Sequence, residues 1–157
     1  MIKITNKDIN EIAQFLEMGQ VVFINKTTGE ISELANRNDP YYEGEFWDQE
    51  YEEIDENYDN YIRLEQMESH DEFRIMENFV DTVRSKELQN RLVQALNGRK
   101  SFRNFKHQID HSDERQNWFT FKTNTYMNFV RNQLSFLLKD SQIILEEKNN
   151  TGDGQND

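Results

Sequence analysis

The spacing of the apolar residues changes along the chain, and this change limits the fold more than any other feature of the sequence. Up to residue 64, a short helical pattern is followed by stretches of β-branched and aromatic residues separated by turn residues. From residue 69 onward, the apolar residues recur at helical spacing. Strands followed by a run of helices are typical of an α+β fold. We therefore predict an N-terminal helix and a β-hairpin within a small antiparallel sheet of about three strands, followed by a bundle of about four helices.

The first predicted helix has signals at both of its ends. Thr5 or Asn6 can cap its N-terminus, and Asp8 puts a carboxylate in the first turn, where the helix dipole favours negative charge. Gly19 ends the pattern. The predicted buried stripe consists of Ile9, Ile12, Phe15 and Leu16.

Three later stretches are predicted to be strands. Residues 20–25 and residues 30–34 are both β-rich, and Gly29 lies in the short connection between them, where a hairpin turn needs a positive φ. Residues 61–64 alternate well enough to form a third strand. We therefore expect the first helix to lead directly into a hairpin.

Four apolar stripes at helical spacing follow residue 68. Ser69 and Glu72 have the spacing of a capping box at the start of the first stripe, and Asn97 with Gly98 is a typical end for the second. The last helix is expected to be the longest and to run as far as Leu145. The predicted core residues are Phe73, Met76, Phe79, Val80 and Val83, then Leu88, Leu92, Ala95 and Leu96, then Phe102, Phe105 and Ile109, and finally Trp118, Phe121, Tyr126, Phe129, Val130, Leu134 and Leu137.

The apolar content limits the size of the core. Hydrophobic residues make up 35% of the 157 residues and charged residues 31%, which fits one small domain, predicted over residues 1–146. Residues 147–157 contain no apolar residue and are predicted to be a disordered tail. The absence of cysteine excludes disulfides and thiolate metal sites. Because neither a signal-peptide pattern nor a long apolar run occurs, we expect a cytoplasmic protein that does not act at a membrane.

The net charge of −12 is unevenly distributed. Residues 1–87 contain 22 acidic and 8 basic residues, whereas residues 88–139 contain 3 acidic and 9 basic residues. The overall acidity argues against unspecific binding to nucleic acid. The local excess of basic residues leaves specific binding possible.

Residues 39–59 form an acidic-aromatic segment with ten acidic residues and no basic ones. Phe46, Glu50, Tyr51 and Ile54 lie at helical spacing, so part of this segment is predicted to be an acidic amphipathic helix. Carboxylates among aromatic side chains can imitate a nucleic-acid backbone or bind a basic protein surface. Alternatively, the segment neutralises basic residues of the same molecule.

A basic segment, residues 97–107, contains no carboxylate. Its cations lie beside a predicted helix N-terminus, whose free N–H groups suit a phosphate or a carboxylate. The candidate residues for binding nucleic acid or another anion are Arg99, Lys100, Arg103, Lys106 and His107. All of them except Lys100 are expected to share one exposed side of a helix. The phenylalanines of the segment have helical spacing and are predicted to belong to the core rather than to a base-stacking surface.

The histidines and carboxylates do not form a recognisable metal or catalytic motif. His107 and His111 have the i, i+4 spacing found in zinc sites, but the third histidine, His70, is distant in the sequence. The acidic-aromatic segment lacks the pattern of a calcium loop, and no serine has the context of a hydrolase nucleophile. We therefore expect no metal site, no cofactor and no enzymatic activity.

Two patterns of basic and aromatic residues lie about twelve residues apart in the second half of the chain. They consist of Gly98, Arg99, Ser101, Phe102, Arg103, Phe105 and Lys106, and of Trp118, Phe119, Phe121 and Lys122. With the first helix, the hairpin turn and the third strand, they resemble an uncharacterised bacterial protein family, number 0158 in the uncharacterised-family series, over most of residues 5–138. Lys100 differs from a glycine that is common in that family, and Asn104 from a second arginine. The resemblance implies a small soluble bacterial protein with a hairpin and helices, and it supplies no catalytic motif.

The function favoured by these observations is that of a non-catalytic regulatory or adaptor protein. Nucleic acid is the expected partner, bound through the basic segment. The alternative is a protein-binding module that uses the acidic-aromatic segment, in which case the basic residues serve the structure alone.

Overall fold

Six helices and two small β-sheets make up the part of the chain that the structure, a computed structural model, describes: residues 2–148. The strands are β1 (Ile2–Ile4), β2 (Val21–Asn25), β3 (Ile31–Leu34), β4 (Tyr61–Leu64) and β5 (Ile143–Leu145). The helices are α1 (Asn6–Glu17), α2 (Gly44–Glu56), α3 (Ser69–Val80), α4 (Lys86–Asn97), α5 (Ser101–Asp110) and α6 (Arg115–Leu137). The fold is therefore α+β, as predicted.

The chain divides into two compact units, which we call the sheet unit (Met1–Gln66 and Tyr126–Asp157) and the helical unit (Met67–Thr125). The sequence of α6 contributes to both units. The extent of the single domain over residues 1–146 stays a prediction. Within the described residues 2–148, no helix combines the length and the apolar character needed to cross a membrane.

The ends of α1 follow the predicted signals. Thr5 and Asp8 form a reciprocal capping box, in which the Asp8 N–H donates to Thr5 Oγ1 at 3.1 Å and the Thr5 N–H donates to Asp8 Oδ2 at 2.9 Å. At the other end, Gly19 has a φ of 89° and its N–H donates to the carbonyl of Leu16. The next N–H, of Gln20, donates to the carbonyl of Phe15, which completes a Schellman motif.

The predicted hairpin and third strand form a three-stranded antiparallel sheet in the order β3-β2-β4. Ile24 of the central strand pairs with Ile31 on one side and Ile62 on the other. Gly29 in the hairpin turn has a φ of 74°, and a Cβ at this position would collide with the side chain of Ile2. Both the conformation and the close approach therefore require glycine there.

A second sheet, the parallel pair of β1 and β5, has no counterpart in the sequence prediction. The prediction that the last helix continues to Leu145 is wrong, because α6 ends at Leu137 and the chain turns before Ile143 pairs with Ile2. An arginine stabilises this arrangement: Arg131 Nη1 donates to the carbonyl of Glu146 at 2.7 Å. Its Nη2 donates to the side-chain oxygen of Asn6.

Only the start of the predicted tail is described. Asn6 Nδ2 donates to the carbonyl of Glu147 at 3.0 Å, and Lys148 Nζ donates to Asn128 Oδ1 at 3.1 Å. These two residues therefore make specific contacts with the sheet unit. Residues 149–157, which hold the rest of the predicted tail, lie outside the described residues.

The helical unit is built from the apolar faces of α3, α4 and α5 and from Trp118 of α6. The predicted capping box at Ser69 is wrong, because Ser69 is already the first helical residue and the N-cap is Glu68, whose side chain makes no capping hydrogen bond. Ser85 is the real cap in this unit: its hydroxyl accepts the Leu88 N–H at 3.2 Å at the start of α4. The core consists of Ile75, Met76, Phe79, Val80, Val83, Leu88, Leu92, Leu96, Phe105, Ile109 and Trp118.

Candidate functional site

The basic segment forms the end of α4, a short connection and most of α5. Gly98 ends α4 with a φ of −98°, so it does not take the left-handed conformation that is common at helix ends. Lys100 takes it instead, with φ 53° and ψ 48°, and no other non-glycine residue in the described part of the chain has a positive φ. The prediction that Arg99 shares one side of a helix with Arg103 is wrong, because the left-handed residue between them delays the start of α5 until Ser101.

The five candidate residues are nevertheless all exposed. Lys106 and His107 are three and four positions after Arg103 on α5, so each of them lies next to Arg103 on the helix surface. Arg99 and Lys100 are exposed at the N-terminal end of the same helix. We call these five residues the α5 basic surface.

The N-terminus of α5 is uncapped. The side chain of Lys100, the N-cap residue, makes no capping hydrogen bond, and the N–H groups of Ser101, Phe102 and Arg103 have no acceptor among the described residues. The first helical bond runs from the Asn104 N–H to the carbonyl of Lys100 at 2.9 Å. Free N–H groups and the positive end of the helix dipole add to the field of the neighbouring cations.

The four cations of the α5 basic surface have no carboxylate ion-pair partner within residues 67–125. Two other arginines of the same unit have one: Arg91 Nη1 lies 3.4 Å from Glu87 Oε1, and Arg115 Nε lies 3.4 Å from Asp110 Oδ1. The difference has its origin in the sequence, since no acidic residue occurs between residues 88 and 109. Pairing of these cations with the acidic-aromatic segment, the alternative considered above, stays a prediction.

One predicted core residue of α5 lies on the surface. Phe105 is 1% exposed and Ile109 is fully buried, as predicted, but Phe102 is 43% exposed. Three steps of about 100° place Phe102 about 60° from Phe105 around the helix, on the same side. Its exposure therefore reflects its position in the first turn of α5 rather than its angle. Its ring meets Phe73 edge-on, with 6.3 Å between the ring centroids.

The histidine pair lies at the C-terminal end of α5. The rings of His107 and His111 are 4.4 Å apart between centroids, and His111 Nδ1 is 2.8 Å from the carbonyl of His107. Among residues 2–148, no three histidine or carboxylate side chains are arranged to hold a metal ion together. A ring contact and a hydrogen bond to the backbone therefore account for the arrangement of these two histidines.

The acidic-aromatic segment contains α2, as predicted, and Tyr51 and Ile54 fix this helix to the three-stranded sheet. The Tyr51 hydroxyl donates to the carbonyl of Ala35 at 2.5 Å. The guanidinium of Arg37 lies 3.9 Å from the centre of the Tyr51 ring and forms two hydrogen bonds with Asp55, at 2.9 and 3.2 Å. One arginine thus holds both an aromatic and an acidic residue of α2.

These contacts change the pKa values of the groups involved. The hydrogen bonds from Arg37 lower the pKa of Asp55, and the same pair raises the pKa of the arginine. Desolvation, together with the hydrogen bond from its hydroxyl to Asp48 Oδ1 at 2.7 Å, raises the pKa of Tyr42 to about 12. Burial likewise raises the pKa of Tyr51.

Several aromatic side chains of the acidic-aromatic segment are exposed. Phe46 has the helical spacing of the buried residues but is 70% exposed, because Trp47, four positions before Tyr51, packs against the core in its place. Tyr41 is 89% exposed and Tyr58 is 70% exposed. Aromatic side chains are enriched at the centres of protein interfaces.

The family of the chain follows from a comparison with family models. The model described as "Uncharacterised protein family (UPF0158)" matches residues 2–149, which is nearly the whole chain. The chain belongs to this family. No curated protein and no solved structure shows significant similarity to this family member. The match confirms the resemblance that the sequence analysis placed over most of residues 5–138.

Proposed function

We propose that this protein binds nucleic acid through the α5 basic surface, in a non-catalytic regulatory or adaptor role. The observation that carries the proposal is that Arg99, Lys100, Arg103 and Lys106 are all exposed and have no ion-pair partner in their own unit. Cations that are not compensated within the protein are available to replace the counterions of a phosphate backbone. A cytoplasmic location and a bacterial source are part of the same proposal.

The uncapped start of α5 supports the same ligand chemistry. Free N–H groups at a helix N-terminus donate to phosphate oxygens, and the helix dipole favours negative charge there. The overall charge of −12 opposes unspecific binding. We therefore expect binding that is local to α5 and strongly dependent on salt.

The test is a fluorescence anisotropy titration of the full chain with a labelled single-stranded RNA and a labelled duplex DNA at several salt concentrations. Four phosphate contacts correspond to a slope of log K against log salt of about −3.6 for the duplex and about −2.8 for the single strand. Between about 50 and 200 mM salt, the affinity should fall about 50- to 150-fold.

A charge-matched pair of variants locates the binding. Replacing Arg99, Lys100, Arg103 and Lys106 with glutamine should abolish measurable binding without unfolding the protein, since all four side chains are exposed. The control replaces four exposed cations elsewhere in the helical unit and should keep most of the salt slope. These control residues are Arg74, Arg84, Lys86 and Arg91. Equal losses in both variants, or no binding by the unmodified protein at low salt, would contradict the proposal.

A second function is favoured by the exposed aromatic residues of the acidic-aromatic segment: binding of a basic protein surface. Carboxylates supply long-range attraction to such a partner, and exposed aromatic side chains supply the buried contacts of an interface. Isothermal titration with an amphipathic peptide rich in lysine and leucine tests this function. Replacing Tyr41, Phe46 and Tyr58 with alanine should abolish peptide binding while the nucleic-acid affinity is unchanged. Unchanged peptide affinity in that variant would argue against this second function.

A further inference from the structure

The exposed ring of Phe102 lies within the α5 basic surface and is not explained by the packing of the helical unit. The buried residues of α5 are Phe105 and Ile109, at 1% and 0% exposure, while Phe102 retains 43% of its surface in solvent. An exposed aromatic ring beside several cations is the combination that binds single-stranded nucleic acid by base stacking and phosphate contacts.

The position of the Phe102 ring is fixed from one side. Its centroid is 6.3 Å from that of Phe73, with 66° between the ring planes, which is an edge-to-face contact. Such a contact limits the motion of the ring without covering it. The ring is therefore held in place while a large part of it remains open to solvent.

The exposed phenylalanines of this protein differ in what covers them. The guanidinium of Arg115 lies 4.8 Å from the centre of the Phe119 ring, and Lys139 Nζ lies 5.0 Å from the centre of the Phe136 ring. No cation lies over Phe102 within residues 67–125, although Arg103 is adjacent and Lys106 is four positions along the same helix. The ring and its neighbouring charges are thus separately available to a ligand.

We propose that Phe102 is a stacking platform for a nucleobase and that the α5 basic surface consequently binds single-stranded nucleic acid in preference to duplex. This inference rests on the proposed function and names the class of nucleic acid. In a single strand, a base can turn away from its neighbours and stack on an aromatic ring while cations contact the adjacent phosphates. In a duplex, the bases are paired and stacked, so only the phosphates remain for the cations to bind.

The test compares Phe102→Ala and Phe102→Leu with the unmodified chain on four labelled probes: a 12-nucleotide RNA, a single-stranded DNA of the same sequence, the same DNA strand without bases, and a duplex DNA. Loss of one stacked base should lower the affinity for both base-containing single strands by about 5- to 150-fold in either variant. The affinity for the abasic strand and for the duplex should stay within about twofold. The unmodified chain should bind both base-containing single strands more tightly than the duplex, and equal affinities would overturn the preference for single strands.

Two controls keep the result interpretable. Phe102→Leu retains an apolar contact with Phe73, so it tests the aromatic ring even if the alanine variant is less stable. Phe119→Ala removes an exposed ring that Arg115 already covers and should leave all four affinities unchanged. Single-strand affinities within twofold of the unmodified chain in both Phe102 variants, or equal losses on the abasic strand, would overturn the stacking role and leave the phosphate-binding proposal intact. Failure of the unmodified chain to bind any of the probes would overturn the proposed function itself.

Discussion

Lys100→Gly should make the protein more stable and weaken its binding to nucleic acid at the same time. Lys100 has a φ of 53° and a ψ of 48°. An L-residue in this left-handed region costs about 1–2 kcal/mol relative to the right-handed region, and glycine does not bear this cost. Glycine also has greater conformational freedom in the unfolded chain, and this lowers the gain in unfolding free energy by about 0.4–1 kcal/mol. The expected net gain in unfolding free energy therefore lies between about 0 and 1.6 kcal/mol, with a middle value of about 0.8 kcal/mol.

The assay is equilibrium urea unfolding of the full chain, followed by far-ultraviolet circular dichroism. Lys100→Ala is the matched control, because it removes the same charge but keeps a Cβ in the left-handed conformation and should not gain stability. Both variants lose one phosphate contact, so both should show a salt slope that is less steep by about 0.7–0.9. If the glycine variant is less stable than the alanine variant, the conformational reasoning is refuted.

Four further predictions concern other parts of the molecule. Trp118 is 8% exposed, and its ring centre lies 5.0 Å from that of Phe105. The substitution Trp118→Ala should lower the unfolding free energy by about 3–5 kcal/mol in urea unfolding, and a loss below about 1 kcal/mol would place this residue outside the core. Because Arg37 lowers the pKa of Asp55, the ion pair stabilises the fold above the unfolded pKa of this carboxyl, and this stabilisation is lost as the pH falls through the folded pKa. Asp55→Asn should therefore lower the unfolding free energy by about 0.5–1 kcal/mol at neutral pH. In a series of melting temperatures against pH, the difference from the unmodified protein should vanish at the acidic end. Deleting residues 149–157 should shift the melting temperature by no more than about two degrees, whereas a deletion that also removes Glu147 and Lys148 should lower it further. Replacing the acidic residues between positions 43 and 56 with their amides should strengthen binding to RNA severalfold at low salt, and unchanged affinity would mean that this segment does not oppose the ligand.

Local signals in the sequence are sufficient for several elements of this fold. The two ends of α1 depend on Thr5, Asp8 and Gly19, all of which act through bonds within a few residues. The hairpin turn likewise depends on a nearby glycine, Gly29. These elements could be predicted because the interactions that define them are short in sequence.

The parallel pair of β1 and β5 could not be predicted for the opposite reason. Its strands have three residues each, which is too short for a period of two to be recognised, and Ile2 pairs with Ile143, at the other end of the chain. Glu146 and Arg131 complete the arrangement through contacts with residues near the N-terminus. Pairing over such a distance leaves no local pattern.

The sequence indicated which residues belong to the candidate site, but it predicted their geometry only in part. Helical spacing groups Phe102 with Phe105 and Phe46 with Tyr51, but neighbouring helix positions can belong to the same stripe and still differ in burial. Packing partners from distant parts of the sequence decide which of them is covered. Nothing in this sequence itself indicates the left-handed conformation of Lys100. The one indication comes from the family resemblance, because a glycine is common at that position.

The most direct measurement of the central claim is a ¹H–¹⁵N chemical-shift titration of the labelled full chain with an unlabelled 12-nucleotide RNA at about 50 mM salt. We predict that the largest amide shifts fall within residues 99–107 and include the free N–H groups of Ser101, Phe102 and Arg103. These shifts should disappear when the salt is raised to about 200 mM. The absence of shifts at low salt, or shifts confined to residues 39–59, would contradict binding through the α5 basic surface.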